Sequence, residues 1–379
     1  MKFLFASDSF KGTITSEQSI RLLTEAAQKI FPGCETYGVP VADGGEGTVD
    51  AVVAAVNGTM REVTVKGPLW EETKAAYGVF QGDSAIIEMA AASGLPMVPV
   101  EQRNPLNTTT YGTGELIRDA LDAGYRKLTI AIGGSATNDG GMGAMIALGI
   151  RFLDENGKEL FGVGADLEKV AAIDMSGIHP AIKETTFTVM CDVTNPLTGP
   201  DGATYTFGRQ KGGTPEILSR LESGMKNYAA VIERTLGRDA DHIRGAGAAG
   251  GLGAALCVFL HAELKSGIET VLDLIDFDAL LDGVDLCITG EGRIDWQSAF
   301  GKVPSGVGMR CKKKGIPAVA LAGGMGTDAD TIYDFGVDSI LTTINGAMDI
   351  QEACDRAEEL YVNAAERLFR MIQVGQSLK

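Results

Sequence analysis

Five times along this chain an apolar stretch runs into a short loop that is rich in glycine or polar residues and carries an acid. The loops are SDSFKG (7 to 12), ADGGEG (42 to 47), GGSATNDGG (133 to 141), CDVTNP (191 to 196) and GEGRID (290 to 295). Their acids are Asp8, Asp43 or Glu46, Asp139, Asp192, and Glu291 or Asp295. In parallel α/β sheets ligands collect beyond the carboxyl ends of the strands, so one sheet could gather several of these loops. The intervening segments fit that architecture. Phe3 to Ala6 reads as a strand, and a helix begins after Thr15, whose partner three residues on is Gln18, a capping-box spacing. That helix ends near Ile30, before Pro32-Gly33. Further strands are expected at Leu128 to Ile132, Phe187 to Cys191, Leu286 to Thr289 and Ala318 to Ala322, with helices between them. Repeated strand, loop and helix units predict an α/β protein with mostly parallel, three-layer sheets and helices on both faces.

The pattern changes between residues 61 and 91. Arg61 to Lys66, Ala75 to Phe80 and Ala85 to Ala91 alternate or run apolar with turn residues between them, which predicts a locally antiparallel or mixed section and a candidate domain boundary. Two later helices stand out. One is glycine-rich, from about 247 to 261, and the other runs from about Ile350 to Ile372 with a single apolar stripe.

A chain of 379 residues suggests about two domains. Hydrophobic residues at 45% and charged residues at 22% exclude wholesale disorder. Its 50 glycines are about 13% of the chain and lie in clusters, which points to tight turns and close backbone approach. A formal net charge of −17 repels nucleic acid and anionic membranes at long range. The apolar start before Asp8 is too short for a signal peptide, and the uncharged run Ala246 to Leu260 is too short for a membrane span, so the expected location is the cytoplasm. Six scattered cysteines without a C-x-x-C pair and only three histidines argue against a disulfide frame, a zinc site or a Ser-His-Asp triad.

Converging carboxylates and glycine-rich loops suit phosphoryl transfer. Backbone N–H groups of a glycine-rich turn at a helix N-terminus bind anionic oxygens, while carboxylates bind Mg²⁺ or take a proton from a hydroxyl. That chemistry is mostly positioning and charge neutralisation, and it makes no demand for histidine. An acidic chain needs bound Mg²⁺ and local cations to hold a nucleotide; Lys11, Arg293 and Lys302 lie nearest the acidic loops. The familiar motifs fail. Gly301-Lys302 is followed by Val303 and has Trp296 where a Walker A loop needs glycine, and Gly245, Gly247 and Gly250 follow no convincing strand. Each feature also has a plainer reading: Asp8, Asp43 and Asp139 as helix caps, Gly44-Gly45 as a turn, Lys11 as a solvated side chain, Glu88 as a sheet-end charge. Asp139 stays open between metal ligand and cap.

Taken together, DSFKG, VPVADGGEGT, EMAAASGL, GTGELI, IGGSATNDGG, CDVTNPLTGP, GAGAAGGLGAAL, LKSGIE and TGEGRIDWQSAFGKVP resemble the bacterial glycerate kinase family over about residues 1 to 370. The resemblance implies an ATP- and Mg²⁺-dependent kinase of glycerate catabolism that forms 2-phospho-D-glycerate. It also implies the family's own two-domain α/β fold: an outer discontinuous domain (1–60 and 285–379), a middle domain (61–284) and an active-site cleft between them. Carried over by motif, the phosphates fall at Gly133, Gly134, Ser135, Asn138, Asp139, Gly140 and Gly141. Asp192 and Asp295 come first for metal or base work, with Asp8 and Asp43 behind them. Lys11 and Arg293 are expected to bind the glycerate carboxylate or the transferred phosphoryl group. The expected partners are ATP and D-glycerate, without nucleic acid or membrane, in a monomer or homodimer. The alternatives are 3-phosphoglycerate as product, another small hydroxy acid as acceptor, a sensing module without catalysis and, third, a nicotinamide oxidoreductase.

Overall fold

The computed structural model describes every residue except Lys11, Glu46, Phe300 and Lys379. The fold is α/β, with parallel sheets flanked by helices, and the chain divides into two compact units. The first comprises Met1–Asp43, Ala54–Val56 and Gly267–Lys379; the second comprises Gly44–Val53 and Asn57–Ser266.

The first unit is built on a five-stranded sheet in the spatial order Glu35–Gly38, Lys2–Ser7, Leu286–Gly290, Ala318–Ala322, Ser339–Thr342. Every neighbouring pair is parallel. In chain order this is 2-1-3-4-5, so the winding reverses between Lys2–Ser7 and Leu286–Gly290, where doubly wound sheets bind their ligands. Both strands read as continuous apolar runs because both of their faces are covered. The helix Ser16–Ile30 starts with the expected capping box: Thr15 Oγ1 accepts the Gln18 N–H, and the Gln18 side chain accepts the Thr15 N–H. Its buried face, Leu22, Leu23, Ala26 and Ala27, packs in one cluster with Phe3, Phe5 and the Tyr361, Ala364, Leu368, Phe369 stripe of the last helix. Phe369 meets Phe3 edge-on at 5.2 Å between ring centroids. Its fully buried ring makes Phe369→Ala worth about 3–5 kcal/mol of stability.

The second unit carries a six-stranded sheet in the order Glu263–Lys265, Thr186–Met190, Lys127–Ala131, Ser84–Glu88, Glu72–Phe80, Thr59–Lys66. The first four strands are mutually parallel and the last two are antiparallel, which is the mixed section expected around residues 61 to 91.

Three expectations change. The loops do not share one sheet: SDSFKG and GEGRID leave adjacent strands of the first sheet, while GGSATNDGG and CDVTNP leave adjacent strands of the second. The glycine-rich helix covers only Leu252–Leu260. Before it, Ala249, Gly250 and Gly251 adopt positive φ (53°, 65° and 94°), because this backbone is pressed against the 133–141 loop. A Cβ on Gly250 would lie 2.1 Å from the Thr137 carbonyl oxygen, and the Gly250 carbonyl accepts the Gly140 N–H at 2.9 Å. The C-terminal helix breaks at Arg356 into Ile350–Asp355 and Ala357–Ser377. The first piece buries no residue, so periodicity alone does not hold the two in line.

Candidate active site

In the first unit Ser7 pairs with Gly290 at the reversal point, and the chain then splits into the SDSFKG and GEGRID loops. The Asp8 N–H donates to Gly290 O at 2.9 Å, and the Asp8 carboxylate accepts the Ser9 N–H at 2.7 Å. A cavity of about 660 Å³ opens here, lined by Asp8, Glu291, Arg293, Asp295 and Lys302 together with apolar Phe10, Ile344 and Ile350. Lys302, the residue before the helix Val303–Lys314, donates to Asp43 Oδ2 at 2.6 Å. Burial opposes its charge, but the hydrogen bond to Asp43 and the nearby Asp43, Glu291 and Asp8 carboxylates outweigh that, so its pKa lies above the usual lysine value. Arg293 faces Asp295 at 3.6 Å and keeps 68% of its side chain exposed, so its guanidinium remains available to an incoming anion.

Glu291 differs from its neighbours. It is 8% exposed and accepts a hydrogen bond from the buried Ser298 hydroxyl. Burial pushes its carboxyl up to about 7; the Ser298 hydrogen bond and Lys302 hold it down, while Asp8 and Asp43 push it further up. Lys11 and Glu46, both named among the sequence candidates, lie outside the described residues.

In the second unit the GGSATNDGG loop follows the strand Lys127–Ala131 and separates into two halves. Gly133 and Gly134 are exposed and line a smaller cavity of about 290 Å³ with Gly44, Gly45 and Glu88. Asn138, Asp139, Gly140 and Gly141 are buried. The Asp139 carboxylate accepts the Thr110 N–H (2.8 Å), the Thr110 hydroxyl (2.7 Å), the Gly141 N–H (3.1 Å) and the Gly143 N–H (3.2 Å). Burial pushes its carboxyl up, against the pull of those four donors. Asp139 is therefore an internal fastener. The helix it introduces, Met142–Ala147, has six residues, and N–H groups of its first turn already point at Asp139. Of the seven residues expected at the phosphates, Gly133 and Gly134 are exposed, while Ser135, Asn138, Asp139, Gly140 and Gly141 are buried.

Lys211, which sequence reading missed, packs under Ser135 and Thr137 of this loop. It is 2% exposed, and its ammonium donates to Ser135 Oγ at 2.8 Å and to Thr137 O at 2.6 Å. Burial lowers its pKa to about 7, partly offset by Asp139. A lone lysine in RQKGG has the local signature of a solvated loop, and nothing nearby in sequence signals its burial. Asp192 is exposed just beyond the strand Thr186–Met190. It belongs to the second unit and Asp295 to the first. Among the described residues no group of three or more His, Cys, Asp or Glu side chains is arranged to hold a metal ion. No helix among them is long and apolar enough to cross a membrane.

Bare glycine backbone beyond the parallel strands of one sheet, and a cavity of carboxylates, lysine and arginine at the reversal point of another, define an α/β enzyme suited to small anionic substrates. The chain belongs to the glycerate kinase family, whose profile matches residues 3–373. It is 44% identical over 379 residues to the glycerate kinase of Bacillus subtilis strain 168, covering 100% of this chain and 99% of that one. It is 43% identical over 376 residues to the glycerate 2-kinase of Escherichia coli K12, covering 99% of each. A crystal structure from Salmonella typhimurium LT2 that carries the description glycerate kinase 2 superposes with a TM-score of 0.90 at 43% identity, covering 100% of this chain and 99% of that one.

Proposed function

We propose that this protein is a kinase that transfers the γ-phosphoryl group of ATP to the 2-hydroxyl of D-glycerate, giving 2-phospho-D-glycerate and ADP. The observation that carries this reading is likeness over 99–100% of both chains to proteins named glycerate kinase and glycerate 2-kinase. The residue chemistry supports it. Exposed Gly133 and Gly134 offer backbone to polyphosphate oxygens over buried Lys211, and Arg293 offers a bidentate fork to a carboxylate or phosphoryl group. Lys302, held by Asp43, adds a fixed positive charge at the cavity in a chain whose net charge is −17.

Magnesium fits the donor set. Mg²⁺ takes oxygen ligands and is usually held by one or two carboxylates plus substrate phosphates, so Asp192 of the second unit and Asp295 of the first are each proposed, taken by itself, as a carboxylate that could take the ion. When bound, the ion neutralises charge on the transferring phosphates. We further propose that the discontinuous first unit and the middle unit are the two domains of the enzyme, that the protein works in the cytoplasm, and that it has no nucleic-acid partner.

The test is an assay with ATP, Mg²⁺ and D-glycerate, followed by enolase with and without phosphoglycerate mutase. Enolase signal without mutase is the expected result. Signal only with mutase moves the product to 3-phosphoglycerate, and consumption of no ATP under either condition refutes the kinase reading.

A further inference from the structure

Glu291 is a buried acid that lines the reversal-point cavity, and the roles drawn from the family motifs leave it without a task. Burial sets it apart from Asp8, Asp43 and Asp295, and two further features hold it in place. It stands directly after the strand Leu286–Gly290, on the rigid end of the sheet, and its own carbonyl is tied to the Gly323 N–H at 3.2 Å beyond the neighbouring strand. Glu291 lines the cavity yet is buried, whereas Asp295 is only half-buried and faces Arg293. One carboxylate oxygen, Oε1, is held by the Ser298 hydroxyl, which fixes the rotamer of the carboxylate.

We infer that Glu291 is the catalytic base of this enzyme, the group that accepts the proton from the attacking hydroxyl of glycerate. The inference rests on the kinase reading above. In the step, the glycerate hydroxyl oxygen forms a bond to the γ-phosphorus and the bond from that phosphorus to the bridging oxygen breaks. ADP departs with the electron pair, and the hydroxyl proton passes to the Glu291 carboxylate. Asp295 then keeps Arg293 aligned and remains available as a metal ligand. The groups that face Glu291 are Ser298 and Lys302, which favour its ionised form, and Asp8 and Asp43, which oppose it. This balance, with burial, leaves the carboxyl near 7, where a base is matched to a neutral reaction medium.

The experiment compares wild type, Glu291→Gln and Ser298→Ala as full-length proteins, with kcat and KM for D-glycerate measured across pH 5 to 9. Glu291→Gln is expected to lower kcat by about 10²–10⁴-fold with little change in KM, and to abolish the acid limb of the pH–rate profile. Ser298→Ala removes the hydrogen bond that holds the carboxyl down, so it should retain activity at high pH and move the acid limb upward. A merely structural Glu291 would not produce that movement. A folded Glu291→Gln enzyme with kcat within tenfold of wild type, or an acid limb unmoved in Ser298→Ala, overturns the assignment. Inactivity of the wild type toward D-glycerate would instead overturn the kinase reading itself.

Discussion

Replacing Asp139 by asparagine tests whether this residue fastens the second unit or serves the reaction. In the native carboxylate Oδ2 accepts three donors, the Thr110 N–H and hydroxyl and the Gly143 N–H, and Oδ1 accepts the Gly141 N–H. An amide of the same shape cannot satisfy them. If its NH₂ takes the Oδ2 position, two buried backbone N–H groups lose their acceptor; if it takes the Oδ1 position, one does and the other bonds lose their charge assistance. With about 1–3 kcal/mol for each orphaned buried donor, the expected loss is about 2–4 kcal/mol. For a unit of this size that corresponds to roughly 5–15 °C in Tm. The chain has two tryptophans, Trp70 in the second unit and Trp296 in the first. Trp70 lies 5.0 Å from the Tyr111 ring, beside Thr110. In a Trp296→Phe background, Trp70 fluorescence during urea unfolding therefore follows the affected region. At a temperature where the variant is fully folded, its kcat should stay within a few-fold of that background. A loss below about 0.5 kcal/mol, or a thousandfold fall in kcat with unchanged stability, refutes the fastener argument.

Lys211→Met should raise the KM for ATP more than it lowers kcat, because it removes positive charge held at Ser135 and Thr137 in the loop that carries Gly133 and Gly134, and initial-rate kinetics read this directly. The same variant checks a linkage: since the folded pKa near 7 lies below the unfolded value, the unfolded chain binds more protons from about pH 7 to 10.5, and this lysine makes stability rise with pH across that window. Denaturation midpoints should lose that rise in the variant. Arg310, 9% exposed, bridges Glu269, Asp273 and Asp278 in the first unit, so Arg310→Met should cost about 3 kcal/mol, less at high salt, by chemical denaturation. Gly250→Ala should destabilise the second unit by more than about 2 kcal/mol, since its Cβ would strike the Thr137 carbonyl at 2.1 Å; a Tm within 2 °C of wild type contradicts that packing.

Local rules reached far in this chain. The Thr15 and Gln18 pair marks a real helix start, the apolar runs at Leu128 to Ile132 and Leu286 to Thr289 fall in the strands Lys127–Ala131 and Leu286–Gly290 to within a residue, and the alternation around Arg61 marks the antiparallel strands. Asp139 was legible only as two options, because a cap and a metal ligand look alike until the donors around the carboxylate are known. Glu291 and Asp295 sit four residues apart in one loop, and only the fold buries one and leaves the other partly open. Lys211 and Gly250 are set by contacts 74 and more than 100 residues away in sequence, which no local pattern encodes. Arg356 shows the converse: a clean apolar stripe continues through a break in the helix, because the stripe's first turn buries no residue.

The strand Lys2–Ser7, next to the edge of its sheet, has a timing consequence. Its parallel neighbour Leu286–Gly290 lies some 280 residues later in the chain. At about 5–20 residues per second, the ribosome delivers that neighbour roughly 15–60 s after the first strand emerges. The second unit is synthesised complete within that interval, while Phe3, Leu4 and Phe5 wait with one side of their strand unpaired. Early translation thus exposes an aggregation-prone edge, and the N-terminal forty residues are where a nascent-chain chaperone has most to do for this protein.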